Sequence, residues 1–145
     1  MTLNQRALAS RIARLRQFIK AIDRLKVIYD RKTFLSEEDT QRLIERYLQL
    51  ALEAVLDISD QIIAQEGLRK PEEYKDNILI LAEKNIIPKQ FALDFSKSAG
   101  FRNILVHAYL EIDPKKVYQH FQEDSDDIKI FLKHIVKYFG LGNKV

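Results

Sequence analysis

Cysteine is absent from this sequence. That excludes a disulfide framework, thiolate zinc sites, iron–sulfur clusters and a cysteine nucleophile, and it fits a reducing compartment. Glycine and proline are scarce, at 4 and 3 residues, and no stretch sustains an alternation of apolar and polar residues. A many-stranded sandwich or barrel would therefore lack its turn chemistry. Long apolar runs are missing too. The longest strictly apolar stretch is Ile78 to Ala82, far short of the roughly 20 residues of a bilayer span. Charge of one sign is also in short supply, the formal net value being only +3.

What is there is 145 residues, 46% apolar and 31% charged. This is too apolar for a disordered tail, too charged for a bundle of membrane spans, and about the size of one compact domain. The expectation is a cytoplasmic, all-α, single domain over residues 1–145, with no internal repeat or linker.

The small net charge hides a division along the chain. Residues 1–32 carry nine Lys and Arg against two Asp and Glu, a net +7, and residues 33–67 carry two against eight, a net −6. In the basic segment Leu8, Ile12, Leu15, Ile19, Ile22, Leu25 and Ile28 recur at steps of three and four, the period of one helical face. This predicts a long helix from Leu3 to Tyr29, with Arg6, Arg11, Arg14, Arg16, Lys20 and Arg24 on its solvent side. A basic, acid-poor start also has the composition of a transit peptide. The unbroken period and the scarcity of serine favour a structural amphipathic helix.

Ser36 and Asp39 have the spacing of a capping box. They predict a second long helix carrying Leu43, Ile44, Tyr47, Leu48, Ala51, Val55, Ile58 and Ile62 and ending at Gly67. A third, shorter helix is predicted over Glu72–Lys84. A fourth is predicted from Pro88 through Phe91, Phe95, Ala99 and Ile104 to about His107 or Tyr109, with Gly100 a site for bending or close packing. Asp113 followed by Pro114 reads as an N-cap and first-turn pair. The fifth helix starts there, carries Val117, Phe121, Ile128, Phe131, Leu132, Ile135 and Phe139, has room for a break at the acidic run Glu123 to Asp127, and ends at Gly140. The expected architecture is a bundle of about five helices.

Most sequence routes to an enzyme are closed. No pair among the three histidines has a metal-binding spacing, and neither a Gly-rich phosphate loop nor a Gly-x-Ser-x-Gly elbow occurs. His120 and His134, among Lys, Gln and Phe, read as surface or interface side chains. His107 keeps different company. The segment Phe101 to Leu110, FRNILVHAYL, sets Arg102, Asn103, His107 and Tyr109 into one apolar stretch. At about 100° per residue Asn103 and His107 lie about 40° apart and Arg102 and Tyr109 about 20° apart, two neighbouring polar stripes on one helix. Taken singly, a snorkelling Arg102, a back-bonding Asn103 and core residues with polar tips would account for them.

Together, RNILVHAY closely resembles the Arg-x4-His-x-Tyr signature of HEPN-domain ribonuclease toxins of the HepT type. The likeness extends to Phe95–Phe101 before it and to Ile112, Asp113, Pro114, Val117 and Tyr118 after it. The resemblance implies a helical bundle, a homodimer, and metal-independent cleavage of RNA in a cleft between protomers, with no cofactor. It implies Arg102 and His107 as catalytic residues. The chemistry permits this: imidazole titrates near neutrality and suits the proton transfers, and a guanidinium can stabilise charge growing on phosphate. Asn103 is expected to support the site, by orienting His107 or donating to the phosphate. Arg102 and His107 lie about 140° apart around a straight helix, so a composite site at a two-fold interface is expected, Arg from one chain near His of the other. Tyr109, with an ordinary pKa near 10, is a poor proton shuttle. The resemblance instead suggests it as acceptor of AMP from a partner nucleotidyltransferase serving as antitoxin, the added charge and bulk then blocking RNA. Whether dimers assemble further with that partner is left open. A second reading is a non-catalytic HEPN-like accessory subunit that binds substrate or nucleotide for a nucleotidyltransferase, and a third is a structural bundle whose polar cluster only sets dimer register. The intact Arg102, Asn103, His107 and Tyr109 set favours the enzyme.

Overall fold

The computed structural model describes residues 1–142, apart from the side chain of Tyr109. Among the described residues it is all-helical: α1 (Leu3–Ile28), α2 (Arg31–Ser36), α3 (Glu38–Gln65), α4 (Tyr74–Glu83), α5 (Lys89–His107), a 3₁₀ turn (Tyr109–Glu111) and α6 (Pro114–Tyr138). Six helices thus stand where about five were expected. No helix is long and apolar enough to cross a membrane among these residues.

α1 forms as its period predicts. Thr2 and Gln5 close a reciprocal capping box at its start, with bonds of 3.0 and 3.1 Å. Leu8, Ile12, Leu15, Ile19, Ile22 and Leu25 are buried. Ile28, the last position of the predicted stripe, is exposed because the helix ends there.

The extra helix is α2, and it overturns the capping box expected at Ser36 and Asp39. The chain restarts earlier, at Asp30, whose side chain accepts from the Thr33 amide at 2.8 Å. One turn later Phe34 is fully buried, tilted against Tyr118 and stacked on Phe121. Ser36 becomes the last residue of α2, its hydroxyl donating to the Thr33 carbonyl, and Glu37 precedes α3. Burying Phe34 outweighs one long helix entry.

α3 is the centre of the bundle and touches every other α-helix. It ends in a Schellman motif in which Gly67, at φ +61°, lets the Leu68 amide reach the Ile63 carbonyl at 3.0 Å. Gly140, at φ +62°, ends α6 in the same way. α4 is shorter than Glu72–Lys84 because Glu73 caps it reciprocally with Asp76, and because Asn85 takes the left-handed position at its end.

α6 starts as predicted, with Asp113 as N-cap and Pro114 first, but it does not break at Glu123 to Asp127. Asp124 and Ser125 face inward with partners instead. His120 Nδ1 lies 3.0 and 3.1 Å from the two Asp124 oxygens, and Lys26 Nζ donates to Ser125 Oγ at 2.8 Å. Buried polar groups that find partners leave the helix intact. Gly100, in α5, has no atom within 4 Å of where a Cβ would stand, so close packing is not what it serves.

Candidate functional site

α5 delivers the polar cluster. Its last two turns bury Phe101 and Leu105 and leave Asn103, Ile104 and His107 exposed. This is the sequence pattern acting: apolar residues on the inward stripe hold the polar ones at a rim. Asn103 and His107, four residues apart, share the solvent face, as the helical period predicts.

Arg102 goes elsewhere. Its side chain is 19% exposed and turned toward α3 and α4. Nη2 donates to Glu53 Oε1 at 3.3 Å, and the guanidinium carbon stands 4.8 Å from the centre of the Tyr74 ring. Glu53 is itself held, because Gln49 Nε2 donates to the same Oε1 at 3.0 Å. Nη1 reaches Asn103 Oδ1 only at the long distance of 3.5 Å. The buried Nε hydrogen meets no acceptor among the described residues. A guanidinium carries five donor hydrogens, so most of this one's capacity is uncommitted. Glu53 and the Tyr74 face anchor the fork and neutralise part of its charge.

His107 is the last residue of α5, and its ring makes no hydrogen bond among the described residues. The structure joins Arg102 to Asn103, and it does not join either to His107 by a hydrogen bond. Tyr109 opens the 3₁₀ turn rather than continuing α5, so the 20° relation to Arg102 drawn on a continuous helix does not apply. The side chain of Tyr109 lies outside the described residues.

Three residues escaped sequence reasoning. Glu53 and Tyr74 lie 49 and 28 positions from Arg102, with nothing local to link them. His120, read as a surface or interface side chain, is half-buried. It is bonded to Asp124 and stacked on Phe101 with ring centres 3.9 Å apart and planes at 10°. The i, i+4 spacing of His120 and Asp124 on one helix was the available signal. His134 packs against Phe91.

Two recesses frame the picture. One of about 360 Å³ adjoins the Arg102 anchor and is walled by Asp60, Pro71, Glu72, Glu73, Tyr74 and Asn77. Burial raises the Asp60 carboxyl above the ordinary aspartate value, with Asp57 adding to the rise, against a hydrogen bond from Asn77 that lowers it. The other, about 800 Å³, lies between α1 and α6 over Ile19, Leu132 and Val136, and neither Arg102 nor His107 lines it. The basic residues of α1 are solvent-exposed as predicted. α1 packs mainly on α3 and α6, however, so within one protomer its basic face does not adjoin Arg102.

In sequence and fold the chain is similar to known proteins. The mRNA nuclease HepT of Shewanella oneidensis is 30% identical over 123 residues, 85% of this chain and 91% of that protein. The tRNA nuclease HepT of Aphanizomenon flos-aquae is 30% identical over 105 residues, 72% of this chain and 71% of that protein. Among solved structures, the tri-AMPylated Shewanella oneidensis HEPN toxin in complex with an MNT antitoxin superposes with a TM-score of 0.80 at 28% identity, covering 93% of this chain and 98% of that one. The family model for ribonuclease HepT-like proteins matches residues 12–135. Over that span, which takes in α5 and its polar rim, the chain belongs to the ribonuclease HepT-like family.

Proposed function

We propose that this protein is the ribonuclease toxin of a toxin–antitoxin pair, acting in the cytoplasm as a single domain that works as a homodimer. It cleaves RNA without a metal ion. The observation that carries this reading is Arg102: it is anchored by Glu53 and Tyr74, keeps donor hydrogens to give among the described residues, and shares the end of α5 with an exposed His107.

In the reaction His107 takes the proton of an RNA 2′-hydroxyl. That oxygen forms a bond to the neighbouring phosphorus, the bond from phosphorus to the 5′-oxygen breaks, and a second imidazole protonates the leaving oxygen. Arg102 stabilises the negative charge that builds on the phosphate oxygens, and Asn103 supports the same phosphate. Because Arg102 and His107 diverge around α5, each site combines Arg102 of one protomer with His107 of the other, and the two-fold also supplies the second imidazole. Two exposed apolar residues flank His107, Ile104 at 45% and Leu110 at 85%, and they support a second copy covering this rim.

The partner is a nucleotidyltransferase antitoxin. The AMPylated state named for the Shewanella complex supports control by AMP transfer to Tyr109, whose backbone opens the turn two residues after His107. An adenylyl group there adds negative charge where RNA phosphate must approach.

The test compares growth on inducing wild type, His107→Ala and Arg102→Ala, with RNA cleavage by each purified protein in EDTA. Toxicity and EDTA-resistant cleavage are expected of the wild type alone. A harmless wild type that cuts no RNA overturns the reading.

A further inference from the structure

We infer that Tyr74 and the recess beside it form a subsite for one unpaired RNA base next to the phosphate held by Arg102. For its substrate class this inference rests on the ribonuclease reading.

Four observations carry it. Tyr74 stands at the first position of α4 and is 41% exposed, so its ring is open to a ligand. Its ring lies under the Arg102 guanidinium at 4.8 Å, so a phosphate on Arg102 and a base on Tyr74 are separated by a span that one nucleotide bridges. The ring also forms part of the wall of the recess of about 360 Å³, room enough for a single base. Finally, α4 presents this ring from a fixed start, because Asp76 accepts from the Glu72 and Glu73 amides at 3.0 and 3.1 Å.

Stacking on an aromatic face accepts any base, since every base has a π-face. Selectivity comes from the wall. Asp60, Glu72 and Glu73 offer acceptors and repel phosphate, so the base edge enters while the backbone stays on Arg102. Asn77 donates to one Asp60 oxygen and fixes that carboxylate. A base whose edge carries hydrogens fits such a wall. Guanine fits best, since its N1–H and N2–H₂ lie side by side and match two carboxylate oxygens. Uracil, with one such hydrogen between two carbonyls, fits worst.

The experiment measures binding, so that it stands apart from catalysis. The ligands are short 2′-O-methyl strands, which cannot be cut through the 2′-oxygen, built of baseless sugar-phosphates with a single guanine, a single uracil or no base. Full-length wild type should bind the guanine strand at least tenfold more tightly than the baseless one. Tyr74→Ala should bind the two equally, and Tyr74→Phe should keep the difference. Asp60→Asn should narrow the preference for guanine over uracil. Equal binding of all strands by the wild type overturns the subsite, as does Tyr74→Ala retaining the preference for a base-bearing strand. Loss of a mere structural support for Arg102 would weaken every strand alike and leave that preference in place. Failure of the ribonuclease reading shows separately, as absence of cleavage of ordinary RNA by the same wild-type protein.

Discussion

Asp124 is 1% exposed, and both its oxygens face His120 Nδ1. Its partner is also the ring that stacks on Phe101, the residue before Arg102. A buried carboxylate deprived of its donor carries the cost of desolvation uncompensated. His120→Ala should therefore lower stability by about 1.5–4.5 kcal/mol, from about 1–3 kcal/mol for the stranded acceptor and about 0.5–1.5 kcal/mol for the lost ring pair. Urea denaturation checks this, and a change within 0.5 kcal/mol contradicts it. At this scale the sequence was partly legible. Arg102, Asn103 and His107 were picked out because polar residues in an apolar stretch are conspicuous. Glu53 and Tyr74 were not, because an ion pair or a stacked ring formed across 49 or 28 positions leaves no trace in local spacing.

Several helix boundaries follow the residues that cap them. Thr2 with Gln5, Asp113 before Pro114, and the glycines at 67 and 140 all act where their chemistry says they should. Ser36 with Asp39 had the same local signature and failed, since Asp30 offered an alternative entry that also buries Phe34. The Glu73–Asp76 cap makes a prediction of its own. Two backbone hydrogen bonds, from Glu72 and Glu73, hold the Asp76 carboxyl below its ordinary value. A carboxyl lowered by folding stabilises the native cap above the unfolded pKa and loses that contribution as pH falls through the lower, folded value. The Glu72 and Glu73 amide resonances should thus titrate together, with a midpoint below the ordinary aspartate value of about 3.9. A midpoint at or above that value, read by NMR, refutes the cap as the cause. Fraying at this end would also release Tyr74, the first residue of α4.

For the whole molecule, the modest +3 divides into a basic α1 and an acidic α3 that pack against each other. Their solvent faces remain opposite in sign. The Arg102 corner sits on the acidic side, with Glu53 at hand, so the proposed RNA contact there would rest on specific donors and not on a general positive field. The proposed composite site has a direct check. A heterodimer of one His107→Ala chain and one Arg102→Ala chain retains one Arg102–His107 pair, with one imidazole in place of two, if the residues come from different protomers. It should cleave RNA measurably but well below half the wild-type rate per dimer, because water must replace the second imidazole, while either homodimeric variant is inactive. An inactive mixed dimer, separated by two affinity tags and assayed directly, rules out cross-chain complementation.

The residues alone determined the helical class, most element boundaries and the polar rim of α5, because periodicity and capping act over three or four positions and are written in adjacent letters. The likeness to HEPN ribonucleases was readable for the same reason, since RNILVHAY is contiguous. Only the tertiary structure decided what each rim residue meets. Folding α3 and α4 beside α5 turned Arg102 inward onto Glu53 and Tyr74 and left His107 exposed at the helix end, and α6 laid a half-buried His120 on Phe101 where a surface or interface side chain was expected. Those contacts depend on how helices pack, and packing is set by the summed burial of a shared core, not by the spacing of any one motif.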